Sequence, residues 1–267
     1  MRRAAVLGSP IGHSLSPQIH NRAYQELGVD LSYSKYEVGI EDFDTFFESI
    51  DEDFIGLSLT MPLKESVFTV ECQIDQSAAQ IHSANTLVRK ESSWLAISTD
   101  LSAFKRLLKV DADFQVAILG AGGTARAAIG ALDGAVRRID VFNRTHGKLE
   151  SLQSCARLSD VRVHSLESSL DGYDLIVSTL PAGISDTLVS NMSKAPKLFF
   201  ESLYKPLPTD LSRHAAILGS ELIDGIDLLV EQALDQIALF SGIAYDYESM
   251  RGLLLDELRV DFPKFHH

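Results

Sequence analysis

An apolar, strand-like run, Phe114–Leu119, breaks into Gly120-Ala121-Gly122-Gly123-Thr124-Ala125 and resumes as a helical pattern over Thr124–Leu132. This sequence confines the chain to folds in which a strand end meets a helix N-terminus, because glycine tolerates the tight turn and the close helix packing it requires. The same context suits a dinucleotide. A pyrophosphate can approach a backbone without side chains, and the helix N-terminus offers N–H donors and partial positive charge. Strand Arg138–Phe142 follows, and further strands are expected at Tyr173–Ser178, Leu198–Ser202 and Glu221–Ile223. Strands alternating with helices call for a parallel sheet with crossover helices.

At the end of the second of these strands, where NAD sites carry an acid for the ribose diol, the chain reads Asn143-Arg144-Thr145. A guanidinium pairs with a 2′-phosphate that a carboxylate would repel, so the expected cofactor is NADP rather than NAD. Lys148 reads either as an assistant to Arg144 or as solvated surface.

Upstream the pattern is β-α-β-α-β: Arg3–Gly8, Gln18–Leu27 stopped by Gly28, Ser32–Val38, Glu41–Ile50 and Phe54–Leu59. A helix near Asp75–Ile81 precedes a hairpin, Thr86–Arg89 with Trp94–Ile97, which delivers Asp100 to a strand end. A helix over Thr99–Leu108 then leads towards the glycine turn. Gly225–Phe240 and Tyr247–Leu258 read as closing helices, and the last has no strand left to cover except in the first domain. The expected fold is therefore α/β with two domains and a cleft between them. Residues 1–100 plus 240–267 form an α/β substrate domain with a mixed sheet, and 101–239 a Rossmann-type domain.

The formal charge is −13, which opposes nucleic acid and anionic membranes as partners. Cys72 and Cys155 stand far apart without a CxxC or Cys/His cluster, so neither a disulfide framework nor a metal site is expected. Both read as buried thiols. No apolar stretch approaches the roughly 20 residues of a membrane span, and Met1-Arg2-Arg3 leads into a strand without a signal-type region. A cytoplasmic monomer or homodimer acting on a small molecule is expected. His266 and His267 stand outside this reasoning.

The remaining candidates are polar groups near predicted element ends. Lys64 follows Pro62 where a helix is expected to begin, and Asp100 is the carboxylate available to it. A free lysine, with a pKa of about 10.4, is a poor proton shuttle at neutral pH, so acid–base work requires a coupled partner. Alone, Lys64 reads equally as surface charge and Asp100 as a helix cap. Ser14 and Ser16 offer hydroxyls beside free helix-start donors, a site for a carboxylate; Ser16 reads also as a plain N-cap before Pro17. Asn85, Thr86 and Gln232 add groups suited to hydroxyls, and Asn85 reads equally as a loop-to-strand turn residue.

Taken in order, these segments resemble the shikimate dehydrogenase family over nearly the whole chain. The matching pieces are Gly8–Pro17, Leu59-Thr60-Met61-Pro62-Leu63-Lys64, Ala84–Leu87, Thr99-Asp100, Gly120–Ala127, Asn143–Thr145, Tyr204-Lys205-Pro206 and Gly225–Ala233. The resemblance implies reversible, NADP-dependent reduction of 3-dehydroshikimate to shikimate, a step of aromatic amino-acid biosynthesis through chorismate. It implies Lys64 and Asp100 as the catalytic dyad. Ser14, Ser16 and Tyr204 would hold the substrate carboxylate, and Thr60, Asn85 and Gln232 its ring hydroxyls. NADP would lie on Gly120, Ala121, Gly122, Gly123, Thr124, Ala125, Asn143, Arg144, Thr145 and Lys148, with Thr179, Leu203 and Gly225 near the nicotinamide. No metal is implied.

The chain departs from the family pattern at Ser58 and Ser98, where asparagine is usual, at Ser102-Ala103, where glycine is usual, and at Leu228, where methionine is common. The lost amide at Ser98 implies weaker turnover or substrate affinity. A quinate-active, NAD-using relative is the neighbouring expectation, opposed by Arg144 and by serine at both 14 and 16. A non-catalytic nucleotide-binding paralogue is the other, opposed by the retained Lys64 and Asp100.

Overall fold

A computed structural model describes residues 1–144 and 149–264. By its internal contacts the chain divides into two compact units, Met1–Ser102 with Leu229–Leu258, and Ala103–Leu228 with Arg259–His267.

The first unit opens with β1 (Arg2–Gly8), α1 (Ser16–Leu27), β2 (Leu31–Glu37), α2 (Phe43–Ser49) and β3 (Phe54–Leu59). It continues through a 3-10 helix at Ser66–Thr69, β4 (Gln73–Ile74), α3 (Gln76–Ile81), β5 (Thr86–Lys90), β6 (Ser93–Ile97) and the start of α4 (Thr99–Leu107). Its sheet runs β2-β1-β3-β5-β6-β4. β1 pairs parallel with β2 and β3, whereas β5 pairs antiparallel with β3 and β6, so the sheet is mixed as expected. The hairpin closes tighter than the sequence suggested: β5 runs on to Lys90, and Glu91 takes a positive φ of 52°. The core includes Leu7, Phe43, Leu57, Leu63, Val67, Leu87 and Trp94, with half-buried Phe47 packed against it. α8 (Gly225–Ser241) and α9 (Tyr247–Arg259) contribute most of their length to this unit. A Cβ on Gly56 of β3 would overlap the Phe240 ring, so glycine lets α8 lie directly on the strand.

The second unit contains β7 (Val116–Leu119), α5 (Gly123–Leu132), β8 (Arg138–Asn143), α6 (Leu149–Gln153), β9 (Asp160–Ser165), β10 (Leu175–Ser178), β11 (Leu198–Glu201), α7 (Asp210–Ile217) and β12 (Glu221–Ile223). The described strands form one parallel sheet in the order β12-β11-β10-β7-β8-β9, the arrangement of a doubly wound dinucleotide-binding fold. β7, β10 and β11 are buried at every position, as strands covered by helices on both faces must be. β9 and α7 escaped the sequence reading. β9 is an edge strand whose Asp-Val-Arg-Val-His-Ser run has little apolar content, and α7 rests on the Thr209 cap, whose hydroxyl accepts from Ser212 N at 3.2 Å. Among the described residues no helix is long and apolar enough to cross a membrane.

Candidate active site

Strands β1 and β3 run parallel, so the loops after Gly8 and Leu59 emerge at the same end of the first sheet. Ser9 N donates to Met61 O at 3.0 Å and Thr60 N to Leu7 O at 2.9 Å, joining the Ser/Pro-rich loop to the segment that carries Lys64. Ser14 and Ser16 lie on that loop and at the start of α1, with Ser16 N donating to Ser14 Oγ at 3.4 Å. Ser16 is not the N-cap. α1 begins at Ser16 itself, Leu15 occupies the cap without a side-chain bond, and Pro17 fits in the first turn, where a missing N–H costs nothing.

Lys64 stands in a turn and not at an α-helix start. Leu63 N donates to Thr60 O at 2.8 Å and Ser66 N to Leu63 O at 3.0 Å, three-residue closures that lead into the 3-10 helix. Buried Leu63 pulls this turn into the core, which leaves Lys64 to be held by its partner rather than by a helix end. Lys64 Nζ donates to Asp100 Oδ2 at 2.6 Å, with the two side chains 16% and 6% exposed.

Asp100 is the second residue of α4, so capping falls to others. Ser98 Oγ accepts from Leu101 N at 3.3 Å, and Asn85 Oδ1 accepts from Thr99 N at 2.7 Å and Asp100 N at 3.3 Å. With the first-turn N–H groups met in this way, the Asp100 carboxylate is left to its ion pair. Serine at 98 thus supplies the cap, a role in which it matches asparagine. Asn85 Nδ2 reaches Thr99 Oγ1 at 2.8 Å, Asp100 Oδ1 at 3.1 Å and Gln232 Oε1 at 3.2 Å. Two hydrogens face three acceptors, so one is always open to exchange with another group. The structure therefore gathers Lys64, Asn85, Asp100 and Gln232, with Ser14 and Thr60 on loops and Ser16 at the start of α1 in the same unit; Tyr204 belongs to the other unit.

In the second unit, Gly120 has φ +113°, and a Cβ there would meet Thr179 Oγ1 at 2.5 Å. Thr179 is fixed by bonds from its N and Oγ1 to Leu119 O, both 2.9 Å. Gly122 caps α5 without a side chain, and a Cβ placed on it would meet nothing within 4 Å. Open space before a helix N-terminus fits a phosphate group, so these residues suit a dinucleotide. Gly225 is required by close approach, since its Cβ would lie 2.5 Å from Leu203 C and Ser202 O. Leu203 N in turn donates to Glu201 Oε1 at 3.1 Å, and Thr209 Oγ1 to Oε2 at 2.9 Å. Burial pushes the Glu201 carboxyl up to about 7 against these bonds. Asn143 ends β8, and Arg144 follows it, exposed. Thr145 and Lys148 lie outside the described residues.

The sequence reading missed a buried group behind the dyad. Gln236 Oε1 accepts from Ser58 Oγ at 2.9 Å and contacts His20 Nε2 at 3.2 Å, while its Nε2 donates to Thr86 Oγ1 at 2.9 Å and Asn85 O at 3.3 Å. His20 is fully buried, stacked on Tyr33 with ring centroids 3.9 Å apart, and burial pushes its imidazole down to about 3 despite the Gln236 bond. The available signal was spacing. Gln232 and Gln236 are one turn apart on an apolar helix and so share a face.

Residues 6–87 match the family described as Shikimate dehydrogenase substrate binding domain. The chain is 28% identical to Shikimate dehydrogenase (NADP(+)) of Staphylococcus epidermidis over 265 residues, covering 96% of this chain and 98% of that protein. It is similar to the crystal structure of Mycobacterium tuberculosis shikimate dehydrogenase, with TM-score 0.85, 32% identity and coverage of 96% and 99%. A Thermus thermophilus shikimate 5-dehydrogenase solved in complex with NADP(H) and shikimate matches with TM-score 0.82, 27% identity and coverage of 97% and 100%.

Proposed function

The chain belongs to the shikimate dehydrogenase family, and from that premise we propose that it catalyses the reversible NADP-dependent reduction of 3-dehydroshikimate to shikimate. The observation that carries this reading is the 2.6 Å contact between Lys64 and Asp100, made beside two carboxamides in the unit that matches the substrate-binding domain.

When bound, NADPH supplies the hydride that reaches the carbonyl carbon. The Lys64 ammonium gives its proton to the oxygen on which negative charge develops, completing the alcohol. Asp100 holds that ammonium and accepts from the neighbouring ring hydroxyl. Asn85 and Gln232, with Thr60, bind the ring hydroxyls, and Ser14 and Ser16 bind the carboxylate. Positioning of this kind supplies up to about 7–11 kcal/mol of barrier lowering, and proton donation about a further 10²–10⁴-fold.

Gly120 to Ala125 would hold the pyrophosphate, Asn143 and Arg144, together with Thr145 and Lys148 as the family resemblance implies, the adenosine side, and Thr179, Leu203 and Gly225 would line the nicotinamide. The open space at Gly122 and the exposed guanidinium of Arg144 support this assignment. We assign the activity to the cytoplasm, in keeping with the free thiols Cys72 and Cys155. An absorbance assay with shikimate and NADP, then NAD, then quinate with each, tests the proposal. Turnover of shikimate with NADP is expected; quinate with NAD as the preferred pair, or no turnover at all, would overturn it.

A further inference from the structure

The carboxamide of Gln236 uses its whole hydrogen-bonding capacity, two bonds accepted and two donated, and every partner is in the first unit. Its orientation follows from one of them. The Asn85 carbonyl can only accept, so the Gln236 NH₂ must face it, and Oε1 must face Ser58 and His20. The protons on the His20 and Ser58 side follow. His20 carries its hydrogen on Nε2, so its Nδ1 accepts from Tyr24 OH at 3.1 Å. Ser58 Oγ donates to Gln236 and accepts from Tyr33 OH at 2.6 Å. Thr86 Oγ1 accepts from Gln236, with Thr99 Oγ1 at 3.1 Å and Asn85 Oδ1 at 3.4 Å both within reach of its own proton. Thr99 Oγ1 accepts from Asn85 Nδ2, whose two hydrogens also face Asp100 Oδ1 and Gln232 Oε1.

One connected network therefore links His20 through Gln236, Thr86 and Thr99 to Asn85 and Asp100. The two branches from Gln236, to the Asn85 carbonyl and to the Thr86 hydroxyl, fix both the backbone and the side-chain surroundings of the residue that caps α4 and holds Asp100. Removing the amide would leave a buried carbonyl and a buried hydroxyl with changed partners, and the Asn85-Thr86 segment would shift to recover them.

We infer that Gln236 is a positioning residue of the reaction, setting Asn85 and through it the placement of Asp100 against Lys64. The inference rests on the dyad carrying the chemistry proposed above. Gln236 is a means of alignment, and a displacement of about 1 Å at reacting groups costs on the order of 10²-fold in rate.

The test has two arms. In the first, ¹⁵N NMR of the wild-type protein reads the His20 tautomer: a hydrogen on Nε2 is expected, and a hydrogen on Nδ1 would turn the Gln236 carboxamide away from the Asn85 carbonyl and overturn the inference without reference to activity. In the second, Gln236→Met and Thr86→Val are assayed with NADP affinity measured by titration. Each is expected to lower kcat by about 10- to 100-fold with NADP affinity retained, and to raise the solvent deuterium isotope effect as proton transfer becomes limiting. The double variant should lose no more than the worse single one, since both break the same network. A folded Gln236→Met with wild-type kcat, or a loss matched by NADP affinity, overturns the inference. An inactive wild type with the Nε2 tautomer instead overturns the proposed function while leaving the network intact.

Discussion

Lys64 and Asp100, thirty-six positions apart in sequence, meet at 2.6 Å because two separate devices present them. The turn after Thr60 is drawn inward by Leu63, and the first turn of α4 is capped by Ser98 and Asn85, so the carboxylate is not consumed by its own helix. An ammonium and a carboxylate so held are oriented before substrate arrives.

Replacing either partner tests their role in proton transfer. Lys64→Met and Asp100→Asn should each reduce kcat by about 10²–10⁴-fold while the circular dichroism spectrum and NADP binding persist. Steady-state kinetics checks this, and undiminished turnover in a folded Lys64→Met protein would refute the mechanism.

The cofactor preference should move with Arg144. A charged hydrogen bond contributes about 1.5–3 kcal/mol, so Arg144→Ala is expected to lower the NADP-over-NAD ratio of kcat/KM by about 10- to 100-fold. The change should appear in the NADP value, with NAD kinetics nearly constant. Equal losses with both cofactors would place the residue outside the selector.

Gly225→Ala places a methyl against the backbone of Ser202 and Leu203. Backbone cannot rotate aside as a side chain can, so a cost of about 1–3 kcal/mol and a measurable fall in Tm are expected. Gly122→Ala, with open space around its Cβ, should be far milder in Tm but weaken NADP binding. Calorimetry and a binding titration separate the two.

Acid should destabilise the first unit through His20. Its folded imidazole is pushed down to about 3 by burial, whereas in the unfolded chain it titrates near 6.5. The unfolded state therefore binds more protons between these values. The contribution is full above about pH 6.5 and is lost as pH falls towards 3. NMR of the folded protein should show His20 neutral at pH 5; titration near 6.5 would contradict its burial.

Glu201 has the opposite sign. Burial raises its folded value to about 7 from 4.5, so its contribution is full below pH 4.5 and is lost as pH rises through 7. The span corresponds to about 3 kcal/mol at 1.36 kcal/mol per unit. Glu201→Gln should flatten the denaturation-derived stability of the second unit across that window. An unchanged slope would show that the carboxyl ionises at its ordinary value.

The strand–glycine–helix run at Gly120 and the apolar strands β7, β10 and β11 were legible because each is written in a few consecutive residues. Periodicity and glycine positions act locally, so a linear reading recovers them. β9 was not legible, since an edge strand needs only one buried face, and neither was the turn at Lys64, where Leu63 burial overrode the expected helix.

The amino-acid sequence by itself determined which residue types could serve a dinucleotide and a proton transfer, through local turns and backbone freedom. Only the tertiary structure decided that Asn85 would hold Asp100, and that Gln236 would tie His20 to both. Those assignments depend on directional hydrogen bonds across elements up to 216 positions apart. Their geometry is set by sheet register and helix rotation, which no short stretch of sequence contains.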